Sequence, residues 1–211
     1  MLFNSAEFLF FFLPLVLLLF HLACSRYSVA AAIKVLVVAS LLFYGWWQPA
    51  YLLLLVGSIL LNFYLARLIH RYQSKALLVL AVALNLASIL YYKYASFLLG
   101  NLAELTQQPW QIEQILLPLA ISFFTFQQIA YLVDVYRKGE IEQSLMNYTL
   151  FVSFFPQLIA GPIVHHGTMM PQFADPNRVG VRTLNVAIGL SIFAIGFFKK
   201  TVLADGAAEY A

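Results

Sequence analysis

Residues 148–166, YTLFVSFFPQLIAGPIVHH (Tyr148–His166), are apolar enough to enter a membrane, yet Pro156 and the Gly161-Pro162 pair interrupt them. Proline removes a backbone donor and clashes with the preceding turn, so a straight helix through this stretch is disfavoured. In hydrocarbon the freed carbonyls find no water, and a broken helix at that depth survives only where protein or a water-filled cavity surrounds it. The stretch predicts a bent or re-entrant segment lining a cavity, with apolar helices packed around it. The alternative is a proline-kinked spanning helix with no site attached.

The rest of the chain supplies those helices. Of its 211 residues, 63% are hydrophobic and only 10% charged, with a mean hydropathy of +0.85. Soluble domains carry roughly 25% charged residues, so the composition predicts an integral membrane protein. The formal charge of +3 is too small and dispersed for a nucleic-acid partner and reads as loop charge that orients helices. Cys24 is the single cysteine, which excludes an internal disulfide. Residues 1–7 contain no Lys or Arg and carry Glu7, the wrong charge for the start of a signal peptide, so Phe8–Cys24 reads as a retained first membrane helix.

A spanning helix needs about 20 largely apolar residues. Phe8–Cys24, Val29–Trp47, Tyr51–Leu68, Ala76–Leu99 and Ile115–Val135 satisfy this, with Gln48-Pro49 as a turn before the third. The broken Tyr148–Val164 stretch follows, then a shorter apolar run, Thr183–Phe198, beyond a polar loop at residues 165–182. The expected fold is thus all-α, a polytopic membrane helix bundle of about five regular spans, a re-entrant segment and a further short helix. With alternating helices, Arg26, Lys34, Arg67, Arg71, Lys75, Arg137 and Lys138 share one side, while Glu104 and Glu113 lie in an opposite loop without Lys or Arg. Positive residues favour the cytoplasm, which predicts an outward N-terminus. Trp46, Trp47 and Trp110 then fall at the outer interface, where aromatic belts belong. Arg178 and Arg182 before the last run, against Lys199 and Lys200 after it, leave the topology beyond Val135 open.

Few residues carry obvious chemistry. Asp134 and Arg137 stand at i, i+3 spacing at a helix end, either fixing a cavity mouth or forming a helix-end ion pair. Lys34 and Lys93 read as snorkelling side chains. His165-His166 follows the broken stretch; adjacent residues point different ways, so the pair does not suit metal binding, which wants i, i+4 spacing on a helix. One of the two could line a head-group or acyl-donor pocket; the plainer role is that of an interfacial loop histidine. Ser122, Ser153 and Ser191 have no glycine-elbow context, and no metal-ligand cluster or phosphate-cradling loop is visible. Gln127, Gln128 and Asn147 are candidate interhelical hydrogen-bond formers. The cavity-lining candidates are Pro156, Gln157, Gly161, Pro162, His165, Asp134 and Arg137.

Several phrases together carry a family resemblance: FLFFFLPLVLLLF, LLFYGWWQPAYLLLL, ILYYKYASF, LLPLAISFFTFQQIAYLVDVYR, LFVSFFPQLIAGPIV and GFFKKTVLAD, in that order from Phe8 to Asp205. The chain resembles the membrane-bound O-acyltransferase family, in particular its bacterial alginate O-acetyltransferase branch, which is similar to the D-alanyl-lipoteichoic acid exporter. The resemblance covers about the first half of a family member. It implies acetyl transfer to hydroxyls of an exported polysaccharide, alginate or a related exopolysaccharide, in the bacterial inner membrane. It also implies a cytoplasmic acetyl-CoA or other acetyl thioester as substrate, no bound cofactor, and periplasmic acetyltransferase partners. The family's histidine lies in the later half and matches neither His165 nor His166, so it is expected beyond Ala211, and residues 1–211 alone are expected to be inactive. Where close relatives commonly have histidine, this chain has Gln157. The rival reading is a transporter or exporter subunit for a cell-envelope substrate, since broken helices also mark transport sites.

Overall fold

The computed structural model describes residues 3–47, 49–106, 116–159, 161–174 and 183–208. Gln48, Trp110, Glu113, Arg178, Arg182 and the Trp47 side chain lie outside the described residues. All regular structure among the described residues is helical. Helix α1 (Leu13–Arg26) continues a π-helical turn, Phe8–Phe12; α2 is Val29–Trp47 and α3 Pro49–Tyr72. Helix α4 (Lys75–Ile89) passes through a π turn, Leu90–Tyr94, into α5 (Ala95–Thr106). Next come α6 (Ile121–Lys138), α7 (Leu145–Ser153), α8 (Phe155–Leu158) and α9 (His166–Ala174). Helix α10 (Thr183–Phe198) runs through a π turn, Lys199–Ala204, into α11 (Asp205–Ala208).

Local chemistry sets the boundaries. Ser74 Oγ accepts from the Leu77 N–H at the start of α4, and Ser144 Oγ accepts from the Asn147 N–H at the start of α7. Each satisfies one of the donors a helix start leaves unmet. Pro49 opens α3, where its missing N–H costs nothing. Gly139, at φ +70°, closes α6 in the left-handed conformation that glycine adopts most readily.

Among the described residues, five helices are long and apolar enough to cross a membrane: Phe8–Arg26, Val29–Trp46, Pro49–Tyr72, Lys75–Thr106 and Thr183–Ala208. The first four match the predicted spans; the fifth does not. The predicted Ile115–Val135 helix begins at Ile121, because Pro118 disfavours helix before it and Ala120 turns into the left-handed region at φ 57°. What remains, α6, buries one face (Phe124, Gln127, Gln128, Tyr131, Leu132, Val135) and is not among the five. In compensation, the apolar run predicted to be short extends through Ala208. The loop predicted at 165–182 is partly helical: α9 forms with Pro171 inside it, Pro171 forgoing one backbone bond while Met169 and Met170 are buried.

The chain divides into two compact units, residues 1–36 with 172–211 and residues 37–171. In the first, Phe8 is buried and stacks on Phe12 at 6.0 Å, whereas α10 and α11 bury no residue. In the second, α3, α4, α6 and α7 pack around an aromatic centre. Tyr148 lies 4.9 Å from Tyr131 and 5.6 Å from Phe63, ring centre to ring centre. Long leucine-rich faces on α1, α3 and α4 stay exposed, as expected where lipid rather than water is the solvent.

Candidate functional site

The broken stretch is broken. Helix α7 ends at Ser153, and Phe154 (φ −50°, ψ 107°) turns the chain before the single turn α8. Without a break, the Phe151 carbonyl would accept from Phe155 N–H and the Val152 carbonyl would face Pro156, which has no N–H. Two neighbouring helices repair part of this loss. Gln127 Nε2 of α6 donates to the Phe151 carbonyl at 2.8 Å, and the Phe155 N–H donates to Ser40 Oγ of α2 at 3.2 Å. Gln127 and Ser40 are both fully buried, so these bonds replace ones that water would otherwise have to make. Gln127 Oε1 is itself buried without a partner.

After α8 the backbone turns again. The Gly161 N–H donates to the Gln157 carbonyl at 2.8 Å, and Gln157 Nε2 donates to the Pro162 carbonyl at 3.3 Å. A Cβ on Gly161 would sit 2.7 Å from Gln157 Cγ and 2.8 Å from its Cα and carbonyl oxygen, so only glycine fits this approach.

Two histidine–carboxylate contacts follow. His165 is exposed, with Nδ1 2.9 Å from Asp134 Oδ2, while Lys138 Nζ lies 3.1 Å from the other Asp134 oxygen. Asp134 therefore pairs with Lys138 and His165 and not with Arg137, which is exposed at the end of α6. The i+4 lysine, rather than the i+3 arginine, reaches the carboxylate. His166 is more enclosed: its ring lies 5.2 Å from Tyr131 and 5.1 Å from Phe151. His166 Nε2 is 3.3 Å from Glu142 Oε2, near enough for an ion pair but off the line of a hydrogen bond.

Glu142 ties this region together, and the sequence did not single it out. Its N–H donates to Tyr131 Oη at 2.9 Å, and its Oε1 accepts from Ser144 N–H at 2.9 Å and from Asn147 Nδ2 at 3.4 Å. Burial disfavours the charged carboxylate, but the contacts from His166, Ser144 and Asn147 outweigh it and hold the Glu142 carboxyl below its ordinary value. Arg67 donates to the adjacent Gln143 carbonyl at 3.0 Å.

A buried polar chain runs deeper. Tyr148 Oη donates to Gln128 Oε1 at 3.3 Å, Gln128 Nε2 donates to Ser58 Oγ at 2.8 Å, and Asn62 and Asn85 exchange amide bonds at 3.2 and 2.6 Å. Gln127 and Gln128 thus bond across helices as predicted, while Asn147 bonds within its own corner. Asn62, Asn85 and Ser40 were missed, although asparagines at positions 62 and 85 inside apolar spans were a readable signal. Three clefts of about 270–280 Å³ are lined by other residues than the seven candidates. No group of three or more metal-ligating side chains exists among the described residues.

Residues 142–211 match the membrane-bound O-acyltransferase family, MBOAT. The whole chain is 42% identical to a peptidoglycan O-acetyltransferase of Helicobacter pylori, covering 46% of that protein. It is 36% identical over its whole length to a probable alginate O-acetylase of Pseudomonas aeruginosa, covering 41% of it, and 35% identical to one of Azotobacter vinelandii, covering 43%. No solved structure matches. The chain spans less than half the length of these curated relatives. The broken segment and everything after it fall within the region that matches the membrane-bound O-acyltransferase family.

Proposed function

We propose that this chain forms the N-terminal part of a membrane O-acetyltransferase that esterifies hydroxyls of a cell-envelope or exported polysaccharide. The observation that carries this reading is similarity along the whole of this chain to part of relatives named for acetylating two different carbohydrate polymers, peptidoglycan and alginate. The chemistry common to both is an acetyl ester on a sugar hydroxyl, so the acceptor is read as a polysaccharide of either kind.

In this reaction a cytoplasmic acetyl thioester, acetyl-CoA or another, gives up its acyl group. The C–S bond breaks, a C–O bond forms, the hydroxyl proton passes to a base and the departing thiolate is protonated. The base is the family histidine expected beyond Ala211, and such assistance contributes roughly 10²–10⁴-fold. The present residues wall the site. Pro156, Gln157, Gly161 and Pro162 give the broken backbone that faces a wet cavity, and Asp134, Arg137 and His165 stand at its mouth. The protein sits in the bacterial inner membrane with its N-terminus outside, and periplasmic acetyltransferase proteins are its partners.

The test is acetyl transfer from radiolabelled acetyl-CoA to polysaccharide in membranes holding either the complete gene product or residues 1–211. The complete protein should acetylate and the 211-residue chain should not. Acetylation by residues 1–211 alone overturns the assignment of the base to a later segment. No acetylation by the complete protein with either polymer overturns the function.

A further inference from the structure

Helix α4 enters the membrane at Lys75, beside Arg67 and Arg71 at the end of α3. Lys93 follows 18 residues later, about 27 Å along the helix at 1.5 Å per residue. That is close to the hydrocarbon thickness of about 30 Å, which puts Lys93 at the opposite head-group level. Packing gives the same level independently. The Tyr92 ring meets Tyr51 at 6.0 Å, and Tyr51 stands two residues into α3, close in sequence to Trp46 near the end of α2. Tyrosine and tryptophan concentrate at this depth.

Lys93 lies in the π turn Leu90–Tyr94, a distortion that shifts the face of the following helix and recurs at functional sites. It lines a cleft of about 270 Å³ between α4 and α6 with Leu86, Ile89, Leu90, Tyr94, Ser122 and Phe126. Its ammonium pairs with no carboxylate among the described residues and meets only the Tyr94 ring, at 5.5 Å. The cleft is ordered along the membrane normal. Lys93, Tyr94 and Ser122 stand at the interface. Leu86 and Ile89, earlier in α4, and Phe126, later in the antiparallel α6, lie deeper. A cation and a hydroxyl above an apolar floor complement an amphiphile with an anionic head.

We propose that this cleft binds a membrane phospholipid, its phosphate on Lys93 Nζ and Ser122 Oγ and an acyl chain along Leu86, Ile89 and Phe126. The occupant is lipid and not free phosphate, because the apolar floor is continuous with the bilayer. A surface lysine contributes to anionic lipid binding by a factor of about five.

The test uses the full-length protein in nanodiscs of dioleoylphosphatidylglycerol, transferred to detergent, with retained lipid counted by native mass spectrometry. Wild type and Lys93→Arg should retain phosphatidylglycerol, and Lys93→Gln should retain about fivefold less. Dioleoylglycerol, which has the chains without the phosphate, should not displace it, and neither should inorganic phosphate. Equal retention by Lys93→Gln overturns the proposal, as does displacement by dioleoylglycerol. Displacement by inorganic phosphate makes this a free-anion site and overturns the lipid assignment. Should Lys93→Gln fail to fold, the two competition experiments on wild type decide alone.

Discussion

Gln127 Nε2 sits 2.8 Å from the Phe151 carbonyl, holding the backbone oxygen that the break before Pro156 deprives of its helical partner. Ser40 answers from the other side by accepting the Phe155 N–H. The break is therefore built into three helices rather than one. Gln127→Leu keeps volume but leaves a buried carbonyl unmet, at a cost of about 1–3 kcal/mol. Ser40→Ala strands a buried N–H at a similar cost. Thermal unfolding in nanodiscs should show both variants less stable than wild type, with the double variant departing from additivity because both bonds support one bend. An unchanged melting temperature in Gln127→Leu would show that this bond does not hold the break.

A methyl group at Gly161 meets Gln157 backbone atoms at 2.8 Å, which a side-chain rotation cannot relieve. Gly161→Ala should therefore move the 159–165 backbone and lower stability by about 1–3 kcal/mol. Gly100→Ala makes the control, since nothing lies within 4 Å of its added Cβ and alanine favours helix. The first variant should melt lower and expose residues 155–165 to hydrogen exchange, and the second should match or exceed wild type. If Gly161→Ala melts like Gly100→Ala, the close approach is not a constraint.

Pro156 and Gly161-Pro162 announce a break because proline's missing N–H and glycine's missing side chain act locally. Four spans were readable for the same reason: length and apolarity are properties of a segment. What escaped depends on partners far along the chain. Ser40 reads as an unremarkable residue in an apolar run until Phe155, 115 positions later, needs an acceptor. Glu142 gains its role only when α6, α7 and α9 converge on it. Asp134 could have met Arg137 or Lys138, and only the helix-end geometry chose the lysine. The fifth predicted helix starts later than expected, at Ile121, because of Pro118, whose effect on the residue before it was readable and was outweighed by apolarity.

Glu142 sets an acid limit on the fold. Its folded carboxyl titrates below the ordinary value of 4.5, so the folded state binds its proton less tightly than the unfolded chain. The resulting stability is present above the unfolded value and is lost as pH falls through the folded one. Unfolding followed between pH 7 and pH 3 should show wild type losing stability below about 4.5, with Glu142→Gln losing less over that window. Identical acid slopes in the two proteins would remove Glu142 from the account.

Asn62 and Asn85 satisfy each other inside the membrane, each also donating to a carbonyl one turn back in its own helix, Ser58 and Ala81. Removing one partner leaves the other buried amide short of a bond. Removing both substitutes apolar contact for the pair. Interhelical bonds of this kind average about 0.6 kcal/mol and reach about 1.7 kcal/mol in membrane bundles. Asn62→Leu and Asn85→Leu should each destabilise by about that range, whereas the double variant should cost less than the sum of the two. The measurement is a double-mutant cycle of unfolding in detergent. Strict additivity would mean that the asparagines contribute separately through their own helices, and that α3 and α4 are held together by apolar packing alone.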